Sequence, residues 1–134
     1  VNMKGTVNVF NAARPKKVPV VYASSAAVYG SNIEMPLTEG SITKPVTGYG
    51  ADKLGAEHHA RVASLVHQIP TIGFRFFNVY GPRQDPSSPY SGVISIFSER
   101  IRYGEDITIL GDGEQTRDFV YVRDVIKFLR AGIL

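Results

Sequence analysis

A chain of 134 residues is long enough for one domain with a packed core, since domains commonly run to ~100–150 residues. With 43% hydrophobic and 20% charged residues it has an ordinary globular make-up, and no apolar run approaches the ~18 residues of a membrane span. The absence of cysteine excludes disulfides and thiolate metal sites, and the net charge of +3 comes from scattered bases that suit a small anionic ligand better than a nucleic-acid backbone.

Residues 1–13 carry Val1, Met3, Val7, Phe10 and Ala13 near helical spacing, and Pro15 ends that helix. The cluster Arg14-Pro15-Lys16-Lys17 then falls at a helix end, where cations favour the dipole and stay solvated. Residues 18–24 lack polar alternation, which predicts a strand buried on both faces, as in a parallel sheet. Residues 30–47, rich in Ser, Pro, Gly and Thr, predict a loop. Residues 48–67 return to helical spacing, with Leu54, Ala60, Ala63 and Val66 as core positions. Residues 71–77 predict a second strand and residues 78–92 a long irregular loop of the kind that carries function. Residues 93–103 predict a helix with Val93, Ile94, Phe97 and Ile101 on one face. A short strand is expected at 107–110, a turn at Gly111-Asp112-Gly113, an extended piece at 119–122 and a helix from Arg123 onward. Strand and helix alternate, which predicts an α/β fold with a parallel sheet. Helical patterns already running at Val1 and still running at Leu134 read as a piece of something longer.

Four segments carry chemistry. Tyr49 and Lys53 lie four residues apart on a helix, hence on one face, one turn apart. A free tyrosine, with a pKa of ~10, is a poor base near neutrality, and a neighbouring lysine cation favours the phenolate. The stretch Ala23-Ser24-Ser25-Ala26-Ala27-Val28-Tyr29-Gly30 follows the first predicted strand, whose carboxyl end is where open α/β sheets bind ligands. A serine hydroxyl there can donate to and accept from a substrate hydroxyl, although alone the stretch also reads as a Ser-rich turn. Arg75-Phe76-Phe77-Asn78-Val79-Tyr80-Gly81-Pro82-Arg83 ends the second strand, and Asn78 is suited to a phosphate or sugar oxygen. Gly111-Asp112-Gly113-Glu114-Gln115-Thr116-Arg117-Asp118-Phe119 offers Arg117, whose planar fork suits phosphate but which singly also reads as a surface ion-pair partner. His58-His59 project ~100° apart on a helix with no evident third ligand, so they read as a solvated or partly packed pair. Phe74, Phe76 and Phe77 suit strand packing rather than base stacking.

In this order, S-S-x-x-V-Y-G, Y-x-x-x-K, R-F-F-N-V-Y-G-P-R and G-D-G-E-Q-T-R-D-F-V-Y-V-R-D-V resemble the extended short-chain dehydrogenases/reductases, the NAD-dependent epimerase/dehydratase family. The likeness is greatest to the UDP-glucose 4-epimerase group and its UDP-N-acetylglucosamine relatives, and it runs from Asn2 over nearly the whole chain. It implies the C-terminal part of a Rossmann-type parallel sheet plus the start of a substrate-binding domain. Residues 1–82 would be the second half of an NAD-binding domain, and 83–134 a truncated start of the substrate-binding region. The resemblance makes Tyr49 the acid/base. It makes Lys53 the residue that tunes Tyr49 and bonds the nicotinamide ribose, and Ser25 the helper on the sugar hydroxyl. Asn2 and Phe77 match positions near the NAD cofactor, which Ser25, Tyr49 and Lys53 also touch. Asn78 and Arg117 match contacts to the substrate diphosphate, and Thr108, Ile109 and Leu110 the segment beside the nucleotide base.

The implied reaction oxidises a sugar hydroxyl to a keto-sugar, lets it turn over, and reduces it from the other face. The 4,6-dehydratases carry an acid after the catalytic Ser/Thr, where this chain has Ala26-Ala27, which counts against dehydration. ADP-heptose 6-epimerase and uronate 4-epimerase chemistry stay open, as does a non-catalytic Rossmann-like scaffold, against which the intact Ser25, Tyr49 and Lys53 speak. The family's Gly-rich pyrophosphate turn does not occur in this sequence and is expected upstream of Val1. Should these residues be the entire molecule, weak or absent NAD binding and uncovered sheet edges are expected. The resemblance further implies a nucleotide-sugar substrate, no nucleic-acid or membrane partner, a homodimer through the helices at 1–13 and 48–67, and a cytoplasmic location.

Overall fold

A computed structural model describes residues 2–31, 34–88 and 90–133, so the apolar position at Val1 lies outside the described residues. The chain divides into two compact units, one of Val1–Phe76 with Leu129–Leu134, the other of Phe77–Phe128.

In the first unit, helix α1 (Asn2–Ala13) buries Phe10 and Ala13 and gives way to a 3-10 turn at Arg14–Lys16 around Pro15. Proline cannot continue the helical hydrogen-bond ladder, and Lys17 completes the exit in the left-handed region at φ 49°. Strand β1 (Val20–Ser25) runs parallel to β2 (Thr71–Phe76), in register from Val20 opposite Thr71 to Ser25 opposite Phe76. Parallel neighbours need a crossover, and α2 (Gly48–His67) supplies it. Phe10, Ala13, Val20, Ala60, Ala63 and Ile69 form the core, with Tyr22 edge-on to Phe10 at 5.9 Å between ring centroids.

Two core expectations change. The buried face of α2 is built from the small residues Gly50, Ala56, Ala60 and Ala63, so that Leu54 is only half-buried and Val66 is 66% exposed. Small side chains let the helix backbone lie close to its neighbours, and the larger apolar residues point outward. Strand β1 is not buried on both faces: Val20 and Ser24 are buried but Ala23 is exposed. Its single strand partner among the described residues, β2, leaves part of it uncovered.

In the second unit, β3 (Asn78–Tyr80) pairs in parallel with β4 (Phe119–Tyr121), so the segment expected to be irregular from Asn78 starts as a strand. Tyr80 packs on Phe119 and Tyr121, at 6.3 and 5.5 Å between ring centroids, which anchors the pair. Helix α3 (Val93–Tyr103) stops at Gly104, whose φ of 68° favours glycine. Ile94 and Phe97 are half-buried on it, whereas Val93 and Ile101 are exposed. The strand expected at 107–110 does not form. That stretch has no ladder partner among the described residues, and side chains tie it down instead: Arg100 donates to the Asp106 carbonyl at 2.9 Å and Gln115 to the Leu110 carbonyl at 2.5 Å. Helix α4 (Val122–Ala131) begins one residue before the expected Arg123 and buries Val125. No described helix is long and apolar enough to cross a membrane.

Candidate active site

The carboxyl end of β1 and the first turns of α2 place the first set of sequence-predicted residues. Thr47 caps α2, its Oγ1 accepting the Gly50 N–H at 3.0 Å, which fixes the turn that carries Tyr49. Tyr49 is 48% exposed, as a group that must meet a ligand requires. One turn on, the Lys53 ammonium lies 5.5 Å from the Tyr49 ring centroid and donates to the Ala23 carbonyl at 2.9 Å. That bond ties α2 to β1 two residues before Ser25. Ser25 is extended, at φ −156° and ψ 149°, and its Oγ accepts the Ala27 N–H at 3.2 Å as it caps the turn Ala26–Val28. An accepting hydroxyl keeps its own hydrogen to donate. Asn2 sits exposed at the start of α1, its carbonyl accepting from Thr6 Oγ1 at 2.9 Å.

Gly50 sets how closely these pieces approach. A Cβ there would lie 2.5 Å from the Ala27 carbonyl oxygen and 3.1 Å from Pro45 Cβ. Gly50→Ala is therefore expected to push the first turn of α2 off the 26–28 turn, costing about 1–3 kcal/mol by overpacking and lowering turnover. Urea unfolding midpoints and turnover, read together, check it: an unchanged midpoint with full activity would mean the contact is not tight.

Sequence reading missed a polar cluster beneath this site. Arg75 on β2 forks onto Glu57 of α2, Nε to Oε1 at 2.9 Å and Nη2 to Oε2 at 2.7 Å. Its Nη1 reaches the Tyr29 hydroxyl at 2.9 Å and the Glu39 carbonyl at 3.2 Å, and the guanidinium lies 4.8 Å from the Tyr29 ring centroid. The buried Ser24 donates to Glu57 Oε1 at 2.5 Å, and the buried Tyr29 donates to the Thr38 carbonyl at 2.9 Å. Burial pushes the Glu57 carboxyl up, but the bonds from Arg75 and Ser24 outweigh it and hold it below the ordinary carboxylate value. The same bonds from Glu57 raise the guanidinium of Arg75 further. Burial, with the nearby Glu57 charge, raises the Tyr22 phenol. The available signal was position: Glu57 follows Lys53 by one turn and Tyr49 by two on the same helix face.

The second unit gathers the other predicted residues. Phe77, Asn78 and Arg117 line a cavity of about 360 Å³ together with Tyr80, Gln84 and Phe119. Asn78 Nδ2 donates to the Asp118 carbonyl at 2.9 Å, beside the β3–β4 pairing, and Arg117 Nη1 to the Thr116 carbonyl at 2.7 Å. Thr108, Ile109 and Leu110 line a larger, mostly apolar cavity of about 760 Å³ with Phe97, Ile101 and again Arg117. Arg117 thus borders both spaces.

Open parallel α/β sheets bind ligands outside the carboxyl ends of their strands, and the Lys53–Tyr49 pair is tied to that end of β1. The family model described as NAD dependent epimerase/dehydratase family matches residues 1–132, and the chain belongs to that family. A putative UDP-glucose 4-epimerase of Methanocaldococcus jannaschii is 40% identical over 129 residues, covering 95% of this chain and 42% of the relative. The UDP-glucose 4-epimerase of Mycolicibacterium smegmatis is 40% identical over 135 residues, covering 98% and 43%. Among solved structures, the UDP-N-acetylglucosamine 4-epimerase of Methanobrevibacter ruminantium, in complex with UDP-N-acetylmuramic acid, superposes with a TM-score of 0.95. It is 38% identical and covers 98% of this chain and 43% of that one. The chain therefore spans about two-fifths of the length of the curated relatives it matches.

Proposed function

We propose that this chain carries the central catalytic part of an NAD-dependent nucleotide-sugar 4-epimerase, acting on UDP-glucose and UDP-galactose or their N-acetyl forms. The observation that carries the reading is the Lys53 ammonium, held between the Ala23 carbonyl and the Tyr49 ring at the end of β1. The residues present fit the nicotinamide-ribose end of the cofactor. Lys53 gives one N–H to Ala23 and keeps two for ribose hydroxyls. Asn2 and Phe77 complete the proposed cofactor contacts, and the pyrophosphate turn is not among the described residues. Bound NAD would supply an acceptor and donor of hydride.

In this reading Tyr49 is the base that takes the proton of the sugar C4 hydroxyl as the C–H electron pair departs, leaving a keto-sugar. Ser25, its Oγ oriented by the Ala27 N–H, donates to the same sugar oxygen and holds it at Tyr49. Tyr49 returns the proton when hydride comes back to the other face. Asn78 and Arg117 hold the diphosphate, and Thr108, Ile109 and Leu110 flank the base in the 760 Å³ cavity. Residues 1–82 would then be the second half of the NAD-binding domain, from which Ser25, Tyr49 and Asn78 reach the substrate, and 83–134 the start of the substrate-binding region. The outward apolar residues Val9 on α1 and Val62, Leu65 and Val66 on α2 support a homodimer through these helices. A cytoplasmic location follows from the same reading.

The test uses the full-length protein as its gene encodes it, with NAD and UDP-galactose, read by the anomeric signals in proton NMR. Conversion to UDP-glucose is expected. No conversion in cofactor-loaded protein would remove UDP-galactose as substrate and turn the same assay to acetamido sugars, uronates and ADP-heptose.

A further inference from the structure

The face of α2 that carries Tyr49 and Lys53 carries Glu57 one turn further on. Two consecutive residues of β1 hold that face. The Ala23 carbonyl accepts from Lys53, and the Ser24 hydroxyl donates to Glu57. Ser24 is 4% exposed and directly precedes Ser25. From the other side, the fork of Arg75 on β2 fixes the Glu57 carboxylate in plane, and Ser24 stands opposite Arg75 in the parallel register. Arg75 also bonds the Glu39 carbonyl and the Tyr29 hydroxyl, which in turn bonds the Thr38 carbonyl. The stretch that leads from the 26–28 turn into α2 is thereby fastened to the same carboxylate.

We propose that Glu57 is a positioning residue for the reaction: through Ser24 and Arg75 it sets the spacing of Ser25 from Tyr49 and Lys53. This rests on the epimerase reading above. Core packing of Ala60 and Ala63 holds the C-terminal half of α2, and the Lys53 and Glu57 tethers, one turn apart, fix the height and rotation of its N-terminal half on the strand. Proton transfer and hydride departure require aligned reacting atoms ~3–3.5 Å apart, and a misplacement of ~1 Å costs on the order of 100-fold. Binding of the nucleotide, which the second unit would carry, does not depend on that spacing. The signature is therefore a fall in kcat with KM held.

Ser24→Ala is the discriminating variant. It severs the tether to β1 and leaves Glu57 Oε1 satisfied by Arg75 Nε, so the ion pair and the fold are retained. In full-length protein loaded with NAD, kcat is expected to fall about 10- to 100-fold, with KM within about twofold and the melting temperature close to that of the parent. Ser24→Cys, of similar shape and with a weak donor, is expected to fall between the two, and is read in the same way should the alanine variant not fold. A Ser24→Ala kcat within twofold of the parent overturns the proposal. So does a loss that tracks the folded fraction alone, or a rise in KM with kcat intact. A parent protein with no activity on any nucleotide sugar sinks the epimerase reading and this inference with it, which separates that failure from the others.

Discussion

Tyr49→Phe is expected to lower epimerase turnover by about 10²- to 10⁴-fold while leaving folding and cofactor content unchanged. The substitution removes one oxygen atom. The ring that lies 5.5 Å from the Lys53 ammonium stays, so the cation–ring contact and the first turn of α2 are preserved. Nothing in the core depends on the hydroxyl, since Tyr49 is 48% exposed. What disappears is the proton acceptor of the proposed reaction; Ser25 Oγ already accepts from Ala27, and the Glu57 carboxylate is taken up by Arg75 and Ser24. The measurement is the rate of anomeric interconversion by proton NMR, alongside the absorbance of retained cofactor. Full activity in the variant would remove Tyr49 from the chemistry and leave the family assignment standing.

The largest loss of stability is expected from Arg75→Ala. Its guanidinium and the Glu57 carboxylate are 22% and 15% exposed, and the pair is forked and joined by Ser24 and Tyr29. Removing one member of such a pair leaves the other poorly solvated and unpaired, at a cost of about 3 kcal/mol. A fall in the denaturant midpoint of that size, with the slope unchanged, checks it. The pH dependence has a defined sign. Because the folded-state value of Glu57 is depressed, its contribution is present above the ordinary carboxylate value of 4.5 and is lost as pH falls through the lower folded value. The parent protein is therefore expected to lose stability on acidification below about pH 4.5, and Arg75→Ala is expected to show a flatter slope in that window. Equal slopes in the two proteins would show that the Glu57 charge is not coupled to Arg75 in solution.

Much of this architecture is legible in the residue pattern, because local rules and tertiary packing agree there. Pro15 marks a helix end by its backbone chemistry alone, and the apolar runs at β1 and β2 read as parallel strands. The pattern falls short where tertiary context decides. Residues 107–110 have strand-like composition, but a strand is a property of two segments, and no partner lies alongside. Asn78–Tyr80 was hidden by the glycines and prolines that follow it, and its pairing with Phe119–Tyr121 spans about forty residues of sequence. The reverse holds on α2, where Val66 has core chemistry but the sheet is met by alanines. At the candidate site, the four-residue spacing put Tyr49 and Lys53 on one helix face, and the family resemblance picked out Ser25. The Ser24–Glu57–Arg75–Tyr29 cluster joins four segments, and no single segment announces it.

The stretch between α3 and β4 has a further consequence for how this protein can vary. Every residue from 101 to 119 is exposed, and the segment is held by side chains reaching carbonyls, such as Arg100 to Asp106 and Gln115 to Leu110, rather than by a ladder. Its amides are accordingly expected to exchange with solvent far sooner than those of β1 and β2. Substitutions and length changes there leave the strand register untouched. In the proposed function, ligand choice would then lie in a stretch that carries no ladder, and the chemistry in a turn capped by Thr47 and tied to β1 by Lys53.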